Sequence, residues 1–285
     1  MKKLFSLCFS ILLCMGISAG CTSGQAPAAS ISGAAGSSSS SLEPQQSSAG
    51  GTAPSGEIPG GAPIVYMTAD ISSQGLMAVY EALGAELPEG NIAVKISTGE
   101  TGSNYLRPEL IRDLVQSVKG TIVECNTAYG GQRANTAYHL QVAEDHGYTA
   151  IADVDIMDAN GSMTLPVTGG TRLTENYVGA NFANYNYYIV LSHFKGHSMA
   201  GFGGAIKNTS IGIASSDGKA HIHSGGTGGS MWGGDQDAFL ESMAEAAKSV
   251  SDYMDGRILY INVMNRLSVD CDCDGSPAEP DMHDI

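Results

Sequence analysis

At 285 residues, with 42% hydrophobic and only 15% charged side chains, the chain is long enough to bury a sizeable core in one large domain or two small ones. Its net charge of −15 argues against nucleic-acid backbones and anionic lipid surfaces as partners, since both would be repelled, and favours cations as guests.

In chain order, the basic start MKK and the apolar run LFSLCFSILLCMGI, too short for a comfortable membrane span, lead to Ser18-Ala19-Gly20-Cys21. This start resembles a bacterial lipoprotein signal: residues 1–20 would be removed and Cys21 would carry the lipid, anchoring the protein outside the cytoplasm in the cell envelope. An ordinary secretory signal cut nearby is the alternative. Residues 21–61 are Ser, Gly, Ala, Pro and Gln with almost no large apolar side chain, so they read as a disordered tether.

From residue 62 onward strand and helix signals alternate. IVYMTA (64–69) predicts a strand, and SSQGLMAVYEALGA after it predicts a helix with Leu76, Val79, Tyr80 and Leu83 on one stripe. NIAVKIST (91–98) predicts a strand and RPELIRDLVQSV (107–118) a helix with Pro108 in its first turn. Further strands are expected over 121–127, 149–157, 185–194 and 258–264, with helices over 137–148 and 235–254, the last capped by Asp235. Strands separated by helices predict an α/β fold: a mainly parallel sheet with helices on both faces.

Chemistry in such folds gathers beyond the C-terminal ends of the strands. Three ends carry it here: Cys125 after the third strand, HFKGH (193–197) after the fifth, and DCDCD (270–274) after the last. His193, Lys195 and His197 alternate at the period of an extended chain, and a glycine-rich turn separates them from Lys207-Asn208. Lys195, His197, Lys207 and Asn208 are therefore candidate catalytic residues, the two lysines suited to holding a small anionic ligand or substrate as partner. A surface loop with solvated lysines is the plainer account.

These segments, with ECNTAYGG and the tail YINVMNRLSVDCDCDGSPAEPDMHDI, resemble a family, the domain of unknown function 362, over about residues 63–285. Some members are described as iron-sulfur-centre proteins, although no CxxCxxC run is present in this chain. Members also continue past Ile285, so the resemblance implies a domain cut short at its C-terminal end.

With Cys8 and Cys14 in the leader and Cys21 lipidated, the domain keeps Cys125, Cys271 and Cys273. Three thiolates, with His193, His197, His283 or an Asp as fourth ligand, would suit a zinc or iron ion, or an iron-sulfur cluster as cofactor. A disulfide from Cys125 to one of the other two, or a solvated acidic loop, remains open. Lesser candidates are an anion site at Gly130-Gly131-Gln132-Arg133, a cation site at Asp153, Asp155 and Asp158, and a lid formed by GGTGGSMWGG with Trp232 as anchor. His221 and His223 flank Ile222 just before that loop, while His139 and His146 are expected to be structural. The sequence therefore predicts a metal- or iron-sulfur-dependent, possibly redox, enzyme acting on a small anion. The alternative is a non-catalytic surface lipoprotein that binds a metal or a ligand.

Overall fold

A five-stranded, wholly parallel sheet organises the chain in the computed structural model, which describes residues 63–271, 275–276 and 278–282. The expected leader, Cys21 and tether, and also Cys273 and His283, lie outside the described residues. Helix α1 (Ser73–Ala82) begins where the Ser72 hydroxyl accepts a hydrogen bond from the Gly75 N–H. β1 (Ile92–Lys95) follows, then α2 (Pro108–Ser117), which Pro108 opens because its missing N–H is unpaired in a first turn anyway. β2 (Thr121–Glu124), α3 (Thr136–Asp145, capped by Asn135) and β3 (Val154–Ile156) complete the first half.

β4 (Ser162–Pro166) and β5 (Glu175–Gly179) form an antiparallel ribbon before β6 (Tyr187–His193) re-enters the sheet. A second ribbon, β7 (Lys195–His197) with β8 (Gly201–Gly203), leads into α4 (Ala205–Ser210) and α5 (Ser216–His223). The long α6 (Gln236–Met254) and β9 (Ile258–Val263) close the fold. Asp235 caps α6 by accepting from the Ala238 N–H at 2.7 Å.

The strand order is β3-β2-β1-β6-β9. Successive strands run one way from β1 to β3 and the other way from β6 to β9, so the direction of winding reverses between β1 and β6. At such a reversal the two crossovers leave on opposite faces, and a crevice opens above the carboxyl ends of the two strands. On one face Ile92, Val94, Ile96, Ile122, Ile189 and Leu191 pack with α1 and α2 through Leu76, Ile111, Leu114 and Val115. On the other face Ala93, Val123, Tyr188 and Ile213 pack with Val250 and Met254 of α6. Strand alternation thus feeds two cores, as the apolar runs on the sheet strands require.

Two local expectations change. Residues 64–69 form no strand: Val65 and Met67 are 87% and 84% exposed, because no open strand edge accepts their backbone and an apolar run alone makes no ladder. In 149–157 only Val154–Ile156 is a strand, since Tyr148–Ala150 turns as a 3-10 helix that buries Tyr148 and lets its hydroxyl donate to the Leu106 carbonyl at 2.5 Å. Among the described residues no helix is long and apolar enough to cross a membrane.

Candidate functional site

The crevice above β1 and β6 holds a cavity of about 550 Å³. Its deepest charged residue is Lys95 at the end of β1, fully buried. All three of its N–H donors are used: by the Ile96 carbonyl, by Glu124 Oε1 at 2.7 Å and by Asn208 Oδ1 at 2.8 Å. Glu124 lies 3.6 Å from Arg133, whose Nη2 meets Glu100 at 2.6 Å. Burial alone would raise the Glu124 carboxyl, but Lys95 and Arg133 outweigh it and hold it down at about 2.

Asn208 is a strap across the reversal point. Its amide nitrogen donates to the Lys95 carbonyl at 3.2 Å, the Leu191 carbonyl at 3.4 Å and Ser192 Oγ at 3.1 Å, while its oxygen accepts from Lys95. The side chain holds β1 and β6 in register with α4 and also lines the cavity. Gly212 next to it is a required glycine, for a Cβ there would strike the Asn208 carbonyl.

Lys195, His197 and Lys207 line the same cavity and are half-buried. The structure therefore brings together the two segments that the glycine-rich turn separates, with Gly201–Gly203 paired back on Lys195–His197 instead of continuing β6. His197 Nδ1 accepts from the backbone N–H groups of Met199 and Ala200 at 3.2 and 3.1 Å, so Nε2 carries the proton of the neutral ring. Burial, with Lys207 and Lys195 alongside, holds this imidazole down to about 3. His197 is thus a neutral N–H donor in a cationic neighbourhood, and with Nδ1 already accepting it suits an anion better than a metal. His193 donates through Nε2 to the Asn265 carbonyl at 2.8 Å.

Cys125 and Cys271 also line the cavity. Cys125 is buried and forms no disulfide; its Sγ donates to the Ile213 carbonyl at 3.3 Å, and burial pushes the thiol up to about 12. Among the described residues no group of three or more His, Cys, Asp or Glu is close enough together to hold a metal ion. The tail approaches the site over Gly196, whose N–H donates to the Ser268 carbonyl at 2.7 Å. A Cβ at 196 would run into the Val269 carbonyl.

The lesser candidates are placed as follows. Arg133 is drawn inward to Glu100, Glu124 and Thr98. Asp155 accepts from Asn181 and the Tyr185 hydroxyl, and Asp158 accepts from the Asn126 and Ser216 N–H groups, so both act as scaffold acceptors; Asp153 is exposed. His139 accepts from the Thr98 hydroxyl at 2.9 Å, and His146 stacks on Tyr105 at 3.8 Å, both structural as expected. His221 packs against Tyr177, away from the cavity residues, whereas His223, Met231 and Trp232 line it. Sequence reasoning missed Lys95, Glu124, Glu100 and Lys219 as cavity residues. Lys95 and Glu124 did carry a signal: each is a charge inside an apolar strand of a doubly covered sheet, where an unpaired charge would be prohibitive.

A family model described as "Domain of unknown function (DUF362)" matches residues 92–285. No curated protein matches the chain. Among solved structures, the lactate racemase apoprotein from Thermoanaerobacterium thermosaccharolyticum is 17% identical with a TM-score of 0.42, the likeness covering 64% of this chain and 47% of that one. The chain thus spans about half the length of that relative.

Proposed function

The chain belongs to the DUF362 family, and from that premise we propose that its α/β domain binds a small anionic ligand in the crevice between β1 and β6. The observation that carries this reading is charge placement. Among the described lining residues, Lys95, Arg133, Lys195 and Lys207 outnumber the carboxylates Glu100 and Glu124, in a chain whose net charge is −15. Glu100 and Glu124 are engaged by Arg133 and Lys95, and Lys195 and Lys207 add two further cations to the lining. Neutral His197 adds a directed N–H, and low-dielectric walls strengthen all of these contacts. Trp232 is the chain's only tryptophan and lines the cavity, so its fluorescence reports occupancy. Titration with inorganic phosphate and with malonate is expected to give a saturable change; a flat titration with both overturns the reading.

A second reading has its own observation: two thiols, Cys125 and Cys271, line one cavity. A soft cation would supply the charge needed to ionise buried Cys125, and residues 272–274 would have to complete its ligand set. Metal analysis of anaerobically purified protein is then expected to give near one zinc, iron or cluster site per chain, lost in Cys271→Ser. Metal-free wild-type protein would sink this reading and leave the first standing.

We further propose that the domain is held at the outer face of a membrane by lipid on Cys21. The leader pattern predicts that Cys21→Ala protein leaves the membrane fraction. If that variant stays membrane-bound and is processed as before, the anchor is wrong.

A further inference from the structure

Lys219 and Lys95 are both buried at the cavity, yet their surroundings differ. Lys95 has three acceptors for its three N–H bonds, one of them a carboxylate. Lys219 has one: Nζ donates to the Ala214 carbonyl at 2.6 Å, and among the described residues no carboxylate lies within ion-pair distance of it. A lysine is rarely buried unless paired, because removing an ammonium from water without a counter-charge is costly. Burial lowers its proton affinity, against the nearby Cys125, Glu124 and Asp158, so the neutral amine is reached more readily here than on an exposed lysine. A neutral amine with one N–H anchored keeps a lone pair and one further N–H. That is the state required of a nucleophile.

The local fold positions a proton carrier beside it. Lys219 and His223 stand one turn apart on α5, a helix that Ser215 starts by accepting from the Gly218 N–H at 3.2 Å. His223 Nδ1 donates to the Lys219 carbonyl at 2.7 Å, which leaves Nε2 as the acceptor, and the ring is held in place by stacking on Phe239 at 4.7 Å. Burial, with Lys207 adding to it, keeps this imidazole below its usual range and therefore neutral. Both side chains line the cavity that Lys195 and Lys207 line.

We propose that Lys219 is the nucleophile of this cavity and forms an imine with the carbonyl carbon of a small oxo acid, whose carboxylate Lys195 and Lys207 hold. The inference rests on the anion-binding reading and names the ligand class within it. Nζ adds to the carbonyl carbon while the C=O π pair moves to oxygen. Nitrogen gives up two protons in turn, each carried by His223 Nε2 to the former carbonyl oxygen: the first yields the carbinolamine, and the second lets that oxygen depart as water as the C=N bond forms. No oxidant or further reactant is consumed.

The test uses the purified protein with glyoxylate or pyruvate and sodium cyanoborohydride, which delivers hydride to an imine and leaves a stable secondary amine. Peptide mass mapping is expected to find Lys219 modified roughly tenfold or more faster than exposed Lys248, because burial enlarges its neutral-amine fraction. Lys219→Arg and Lys219→Met should both abolish that adduct, the second guarding against a variant that misfolds from a misplaced charge. Lys248→Arg should leave the labelling of Lys219 unchanged. Labelling spread evenly over the lysines, or absent from Lys219, in protein that still gives a saturable phosphate titration overturns the imine and spares the anion site. Flat titrations with both phosphate and malonate, alongside selective labelling of Lys219, overturn the anion site and spare the nucleophile.

Discussion

Lys95→Ala is expected to destabilise the fold by about 3–5 kcal/mol, the cost of leaving a buried carboxylate without its partner. The variant leaves Glu124, which is 3% exposed, with Arg133 at 3.6 Å as its one remaining cation, and removes the donor to Asn208 Oδ1, so the strap between β1 and β6 loses an anchor as well. In a domain of this size such a loss lowers the melting temperature by roughly 10 °C. The pH dependence follows from Glu124. Its folded-state carboxyl is held at about 2, below an unfolded value of 4.5. A depressed carboxyl contributes stability that is fully present above its unfolded value and is lost as pH falls through the folded one. That contribution, worth roughly 3 kcal/mol, should therefore disappear between about pH 4.5 and pH 2. Urea unfolding at pH 7 and at pH 3 checks both points: the wild-type chain should weaken on acidification more than Lys95→Ala does. Equal stability of the two proteins at pH 7 would mean that the pair does not hold the sheet ends.

Lys207→Ala is expected to weaken binding of malonate and of inorganic phosphate by roughly 10- to 100-fold, the range for one charge-assisted hydrogen bond in a partly desolvated site. Lys195→Ala should act in the same direction, and the pair of changes should fall short of additivity, because both ammonium groups face one cavity and one anion. Both effects should shrink as salt is raised, since half-buried charges are partly screened. Trp232 fluorescence measures each variant under the same conditions. Wild-type affinity in the double variant would remove the lysines from the site and with them the basis for placing an anion there.

The class of fold was legible before any coordinates because a covered parallel sheet demands long apolar strand runs, and 92–95, 121–124, 187–193 and 258–263 are such runs. Helix ends were legible for the same local reason: Pro108 and Asp235 act on their own first turns, within a few residues of chain. The two antiparallel ribbons were not, for their short glycine-containing strands carry little alternation and gain their order from the surfaces they pack on. Residues 64–69 failed the other way: they have the composition of a strand but no partner edge. Proximity of Lys195 and Lys207 to the cysteines was an expectation from strand ends, and the shared cavity of Lys195, Lys207, Cys125 and Cys271 comes from the reversal of winding between β1 and β6.

What the sequence by itself determined is whatever depends on near neighbours and on summed composition: the apolar periodicities, the caps, the order of elements, and the clustering of Lys, His and Cys just past strand ends. The tertiary structure alone decided which charge meets which. Lys95 reaches Asn208 across 113 positions of chain and Glu124 across 29, His197 is turned into a donor by the backbone of its own ribbon, and Lys219 is buried against one carbonyl with no counter-ion among the described residues. The physical reason is range. Propensity and capping act within a turn or two, while pairing, desolvation and proton affinity depend on atoms that only the closed fold brings within a few ångströms.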